Sequence, residues 1–305
     1  MAGVSGPTRG AWSANPWLVG ALSGAVTAAL IPGCARVARR LGVVDRPGVL
    51  KPQESEVPYL GGVAVTLGMA GAAVGTANAP ALVAPLLAVT VGLADDIRGL
   101  PPGLRLAAEA AAGVAVGAGR CRWRKVAAAA GTMVLANAVN MVDGADGIAG
   151  AVTLASAAGF AALLRGQDRL VASALAGSVT GFLIFNRAPA RIYLGDAGSY
   201  VIGTCTTQLL MSAWEEGSGP GLAACVLVGY PLIELGTTVL RRWRGGQRLM
   251  HGDRGHIYDR LMGAGWSATR TALALGGLQG AAAAVAVALA GGRSPWRHPA
   301  AAPGS

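Results

Sequence analysis

Charge is scarce in this chain of 305 residues: 13% are Asp, Glu, Lys or Arg, where a soluble domain carries about 25%. Aromatic residues make up 5%, and there are only 3 histidines and 4 cysteines. Cys34, Cys121, Cys205 and Cys225 stand far apart, with no Cys-x-x-Cys pair and no Cys/His ligand spacing. That pattern argues against both a zinc site and a disulfide framework. The net charge of +10 does not make the chain a nucleic-acid binder. Its basic residues sit in short runs between apolar stretches, with no continuous basic face and no interleaved aromatics. What is abundant is apolar and small: 53% hydrophobic residues, 47 glycines and a mean hydropathy of +0.49. This balance makes lipid the main solvent, and small residues let helices in lipid approach closely.

A membrane span needs about 20 mostly apolar residues. Ten stretches qualify or nearly qualify: 17–33, 57–75, 81–93, 104–117, 126–141, 148–164, 170–185, 194–213, 221–240 and 271–291. The expected fold is therefore an all-α polytopic membrane protein of about ten transmembrane helices. Residues 1–16 and 292–305 read as flexible ends around a single domain, 17–291. Pro85 and Pro231 fall inside stretches and are expected to kink them. An even number of spans puts both termini on one side. Most of the basic residues, from Arg36 and Lys51 to Arg254 and Arg270, fall on one set of loops. That set marks the cytoplasm, so both termini are expected outside the cell membrane. The run Arg120, Arg122, Arg124 and Lys125 is a local exception.

On the same topology, Asp95, Asp96, Asp143, Asp146, Asp196, Asp253 and Asp259 all fall at the cytoplasmic ends of spans or in cytoplasmic loops. Carboxylates at the edge of hydrocarbon are costly and seldom ornamental. Many of them on one face, beside Arg and Lys, suit a Mg²⁺ site that handles phosphates. Asp95-Asp96 closes the third stretch, and paired carboxylates need a nearby cation or proton. Asn140, Asp143 and Asp146, spaced by three, share a helical face if the turn continues. Gly195-Asp196-Ala197-Gly198-Ser199 offers a carboxylate at a glycine-flanked helix start, where phosphates and their metals bind. Arg254 and His256 lie close together in the last polar loop and suit a phosphate clamp. Lys51 precedes the Gly61-Gly62 pair.

The order Pro58-x-x-Gly61-Gly62, Asp95-Asp96, Asn140-x-x-Asp143-Gly144-x-Asp146-Gly147, Phe185-Asn186, Gly195-Asp196-x-Gly198-Ser199 and Asp253-Arg254-x-His256 resembles the polyprenyl-phosphate N-acetylhexosamine-1-phosphate transferases. The resemblance runs from about Asp45 to Leu261. It implies about ten membrane helices with a cytoplasmic active site, a UDP-N-acetylhexosamine donor, a polyprenyl phosphate acceptor, UMP as product, and Mg²⁺, with Mn²⁺ as a substitute. By similarity, Asp196 is the metal ligand, and Asp95 and Asp96 stand beside the metal and the acceptor phosphate. Asn140, Asp143, Asp146 and Asn186 line the nucleotide pocket, and Tyr193 stacks on uracil. Arg254 and His256 touch the pyrophosphate or sugar, and Lys51 matches a basic position. The resulting expectation is catalysis by Asp95, Asp96, Asp196 and His256, metal binding by Asp196 and Asp95, and a homodimer as a compatible state.

The chain departs from the pattern in places. Tyr258 and Asp259 follow Ile257 where the phospho-MurNAc-pentapeptide branch has a His triplet, which favours a GlcNAc-1-phosphate substrate. Gln53 replaces a common His, and Glu234 a common Asp. The rival readings are that pentapeptide branch and a Mg²⁺-dependent membrane prenyltransferase. A transporter, whose acids belong at the bilayer midplane, is a third.

Overall fold

The computed structural model describes residues 14–47, 56–74, 79–247 and 254–291. Lys51 and Asp253 therefore lie outside the described residues. Within them the chain forms α1 (Pro16–Leu41), a short antiparallel ribbon of β1 (Val44–Asp45) and β2 (Val57–Pro58), then α2 (Gly61–Val74), α3 (Ala79–Arg98) and α4 (Pro102–Val116). There follow α5 (Arg122–Val142), α6 (Ile148–Leu163), α7 (Gly166–Asn186), α8 (Gly195–Glu216), α9 (Ser218–Leu227), α10 (Gly229–Arg244), α11 (Ile257–Gly263) and α12 (Ala268–Gly291). Each of the ten apolar stretches overlaps a helix, although the second begins in β2, and the ninth is divided into α9 and α10.

Local chemistry sets the ends. Asn15 caps α1, its side chain accepting the Trp17 N–H at 2.9 Å, and Pro16 fills the first helical position, where a missing N–H costs nothing. Gly42, at φ 71°, closes the same helix behind Arg39 and Arg40, whose charges suit its C-terminal dipole. Along its length α1 lies against α7, with Gly20 and Gly24 meeting Gly177 and Gly181. Such small-residue pairs let helix backbones touch in lipid.

Four described helices are long and apolar enough to cross a membrane: α1, α5, α7 and α12. The bent pair α9–α10 makes a fifth if taken as one span, and α6 and Gly61–Gly71 are shorter apolar helices. The expectation of ten apolar spans is thus met by composition only in part. The physical reason is clearest at α8. This helix is buried among the others along most of its length and faces protein rather than lipid. It carries Thr204, Thr206 and Thr207, whose hydroxyls return to the carbonyls of Tyr200, Ile202 and Gly203 at 2.7, 2.7 and 2.8 Å.

The two prolines behave differently. Pro85 sits inside an α3 that is continuous in its assignment. Pro231 follows a 60° bend between α9 and α10. Proline has no N–H to give the carbonyl one turn back. Gln279 of α12 repairs the gap: its amide N–H groups donate to the Val226 and Leu227 carbonyls at 3.1 and 2.8 Å, and its oxygen accepts the Tyr230 N–H at 3.1 Å.

Candidate active site

The first turn of α8 is the point on which the acidic residues converge. Gly195, at φ 73°, turns the chain into the helix; a side chain there would run into the Asp96 carboxylate. Helix N-termini present unsatisfied N–H groups. Here the Asp196 and Ala197 N–H groups donate to Asp96 Oδ1 and Oδ2 at 2.8 and 3.1 Å, and the Gly195 N–H meets Asp143. The Asp196 side chain itself accepts a hydrogen bond from Asn140 Nδ2. Residues from α3, the end of α5 and α8 therefore meet around one helix start.

Asp95 faces the neighbouring helix. Its Oδ1 accepts the Leu100 N–H at 2.7 Å. Its Oδ2 accepts the Tyr200 hydroxyl at 2.7 Å and pairs with Arg105 Nε at 3.0 Å. The Arg105 guanidinium also lies over the Tyr200 ring, 5.8 Å from its centroid. Asp95 thus accepts from protein donors and also meets the Asp196 side chain, and Asp96 caps α8, so both lie beside the residue expected to hold the metal. Sequence reasoning did not single out Arg105: it is one basic residue among many, and only its partners in the fold distinguish it.

The second motif does not keep its helical face. α5 stops at Val142 with Asp143 as its C-terminal cap, and Gly147 takes φ 77° before α6. The three-residue spacing is broken there. Asn140 and Asp143 face α8, while Asp146 Oδ2 accepts the Ala190 N–H at 2.9 Å. Asn186 buttresses the same loops from α7, accepting the Gly147 N–H at 3.0 Å and donating to the Ile192 carbonyl at 2.9 Å. Asp143 is pushed well above the ordinary carboxylate range, first by burial and then by the charges of Asp196 and Asp96. Asp146 is raised by burial, against the lowering effect of the Ala190 N–H.

Tyr193 stands between these loops and the β1–β2 ribbon. Its N–H donates to the Pro58 carbonyl at 2.9 Å, and its own carbonyl accepts the Gly61 N–H at 3.0 Å. Its ring lies 6.1 Å from that of Tyr59, whose hydroxyl donates to Asp45 at 2.8 Å. Both rings are half-buried. The residue between Tyr59 and Gly61, Leu60, holds φ 78°, a costly value for a residue with a branched side chain.

His256 caps α11. It is buried, with Nδ1 2.9 Å from Glu234 Oε1 and 3.3 Å from the Thr238 hydroxyl. Arg254 pairs with Asp259 at 3.2 Å. The Arg120–Arg124 exception lies elsewhere: both pair with Glu215 at 2.7 Å, at the far end of α8 from Asp196.

No group of three or more His, Cys, Asp or Glu side chains forms a ready metal cage among the described residues. The donor set around Asp196 fits Mg²⁺ nonetheless, because this ion is usually held by one or two carboxylates and completed by water and substrate phosphates.

Residues 79–213 match the family model of glycosyl transferase family 4. The chain is 29% identical to the decaprenyl-phosphate N-acetylglucosaminephosphotransferase of Mycobacterium tuberculosis, over 84% of this chain and 78% of that protein. It is 28% identical to the undecaprenyl-phosphate alpha-N-acetylglucosaminyl 1-phosphate transferase of Yersinia pestis, over 76% and 73%. A phospho-N-acetylmuramoyl-pentapeptide-transferase of Moorella thermoacetica is 38% identical over 51% of this chain and 47% of its own.

Proposed function

From the match of residues 79–213 to the glycosyl transferase family 4 model, we propose that the chain transfers N-acetylglucosamine 1-phosphate from UDP-N-acetylglucosamine to a polyprenyl phosphate such as undecaprenyl phosphate. An oxygen of the acceptor phosphate attacks the β-phosphorus of the donor. One new P–O bond forms, the bond from that phosphorus to the bridging oxygen breaks, and UMP leaves with the electron pair. The acceptor oxygen is already anionic near neutral pH, so no strong general base is required. Positioning and charge neutralisation carry such reactions.

The observation that carries this reading is the meeting of Asp143, Asn140, Asp96 and Asp196 at the start of α8, with the Asp95–Arg105 pair alongside. In this reading Asp196 would hold Mg²⁺ with Asp143 beside it, and the Asn140 amide fixes the Asp196 carboxylate. When bound, Mg²⁺ supplies charge neutralisation across the diphosphate. Asp96 holds the helix start in place, and Asp95 holds Arg105 for the acceptor phosphate. Tyr193 offers its ring to uracil, while Asp146 and Asn186 hold the loops around the nucleotide. Arg254 and His256 serve the diphosphate, and Lys51 adds a positive charge. The site lies on the cytoplasmic face of a ten-span protein with both termini outside. Homodimerisation is compatible with this arrangement.

The printed names of the Mycobacterium and Yersinia relatives favour N-acetylglucosamine over the pentapeptide substrate. So does the single His256 where that branch has three. The test is to incubate membranes holding the protein with several UDP-sugars and undecaprenyl phosphate, and to identify the lipid product by mass spectrometry. A lipid-linked N-acetylglucosamine diphosphate, with an equal yield of UMP, is expected. A product made only from UDP-MurNAc-pentapeptide, or only from a prenyl diphosphate, overturns the reading.

A further inference from the structure

Glu234 has no role in the chemistry described so far, yet it is fully buried near the middle of α10. An isolated carboxylate in an apolar setting is costly unless its oxygens receive donors. Three groups surround this one. Oε1 lies 2.9 Å from His256 Nδ1 and accepts the Ile257 N–H at 3.1 Å. Oε2 accepts the Tyr230 hydroxyl at 3.1 Å and shares the Ile257 N–H at 3.3 Å. Tyr230 and Glu234 are one turn apart on α10; His256 and Ile257 begin α11.

This arrangement sets the proton on His256. The tyrosine hydroxyl and the backbone N–H both donate to Glu234, so the carboxylate is the acceptor and Nδ1 carries the hydrogen. With Nδ1–H held on Glu234, the imidazolium form carries its second hydrogen on Nε2, where it can donate to a phosphate oxygen, and fixing one nitrogen fixes the direction of the other. The ring is held from its face as well. It stacks on Tyr258, with centroids 5.2 Å apart and planes 2° from parallel. The Tyr258 hydroxyl abuts Gly144, next to Asp143, with no room for a side chain there. The imidazole is thereby tied on one side to α10 and on the other to the loop that carries Asp143.

We propose that Glu234 is the positioning residue for His256, accepting from Nδ1–H so that the Nε2–H of the imidazolium form is directed at the diphosphate of the donor. The proposal rests on the transferase reading given above and adds a residue to it. Carboxylates that orient a working histidine in this way typically contribute about 10- to 100-fold to activity.

The experiment is a double-mutant cycle on the full-length protein in detergent or nanodiscs, reading UMP release with UDP-N-acetylglucosamine and undecaprenyl phosphate. Wild-type turnover comes first, because its absence would reject the transferase reading and leave the Glu234 question to a different substrate. Given turnover, Glu234→Gln is expected to lower kcat about 10- to 100-fold, with the donor KM changed by less than about 3-fold. Glu234→Asp, which keeps the carboxylate, is expected to recover part of that loss. The decisive arm is the His256→Asn background, where Glu234→Gln is expected to cost nothing further, because residues acting as a unit are non-additive. An equal loss in both backgrounds would show that Glu234 only docks α11 and would overturn the proposal, as would a Glu234→Gln kcat within about 2-fold of wild type. If Glu234→Gln does not insert, the same cycle is run with Glu234→Asp, and the same additive loss overturns it.

Discussion

Asp96, at the end of α3, caps the first turn of α8 by accepting the N–H groups of Asp196 and Ala197. One carboxylate thus holds the backbone that carries another. Under the proposed function, Asp96 acts on the reaction through geometry, and Asp196 is the residue whose side chain remains for the ion.

Asp196→Asn is expected to reduce UMP release by at least about 100-fold, the scale on which loss of a charge-stabilising group in an active site is felt. Insertion and folding should persist, since Asn140 can still bond the amide. UMP release from purified protein, with thermal melting as the control for folding, checks this. Turnover near wild type would remove Asp196 from the metal role.

Removing divalent ions should stop the reaction. EDTA is expected to abolish UMP release, and Mg²⁺ or Mn²⁺ to restore it, because the donor diphosphate and the acceptor phosphate need a common counter-charge.

The raised titration of Asp143 gives a pH dependence of stability. Its carboxyl is held above the ordinary value of about 3.9 by burial and by Asp196 and Asp96. The protonated form is therefore favoured in the fold, and that contribution is full at low pH and lost as pH rises through the raised value. In EDTA the melting temperature should be lower at about pH 8 than at about pH 4, the ordinary carboxylate range. Because a metal displaces the proton, Mg²⁺ should raise the melting temperature more at the higher pH. An equal Mg²⁺ effect at both values would count against Asp143 as a neighbour of the ion.

Arg105→Ala leaves Asp95, 6% exposed, without its ion pair. Unpairing a buried charge costs about 3–5 kcal/mol, and the part-exposed guanidinium brings the expectation to about 2 kcal/mol. The melting temperature and the acceptor KM should both suffer, the former in denaturation scans and the latter in titrations with undecaprenyl phosphate. Arg105→Lys keeps the charge and should recover part of each.

Gln279→Leu removes the repair at the α9–α10 bend and leaves two carbonyls and an N–H without their partner. A loss of about 1–3 kcal/mol is expected, seen as a lower melting temperature. Gln279→Glu should restore only the bond from the Tyr230 N–H.

The helices were legible because apolar stretches announce themselves, and all ten stretches overlap helices. The ribbon Val44–Asp45 with Val57–Pro58 and the seven-residue α11 were not, since elements so short carry no periodicity. The acidic motifs were legible as a set, but their division of labour was not. The Asn140–Asp143–Asp146 spacing suggests one face; the chain instead leaves the helix at Asp143, and Asp146 parts from the other two. Arg105 was hidden among other arginines, and Glu234 read as a departure from a pattern. Both gain meaning only through partners far away in sequence.

The start of α8 has a consequence for how the protein is made. Its N–H groups are satisfied by carboxylates from positions 96 and 143, whereas the helix itself begins at 195. About a hundred residues separate the earliest contributor from the element it completes. During synthesis, helices that enter the bilayer early must wait with unpaired acids at their ends until the later one arrives. A chain stalled before α8 therefore lacks both the Asp196 carboxylate and the helix start that Asp96 caps.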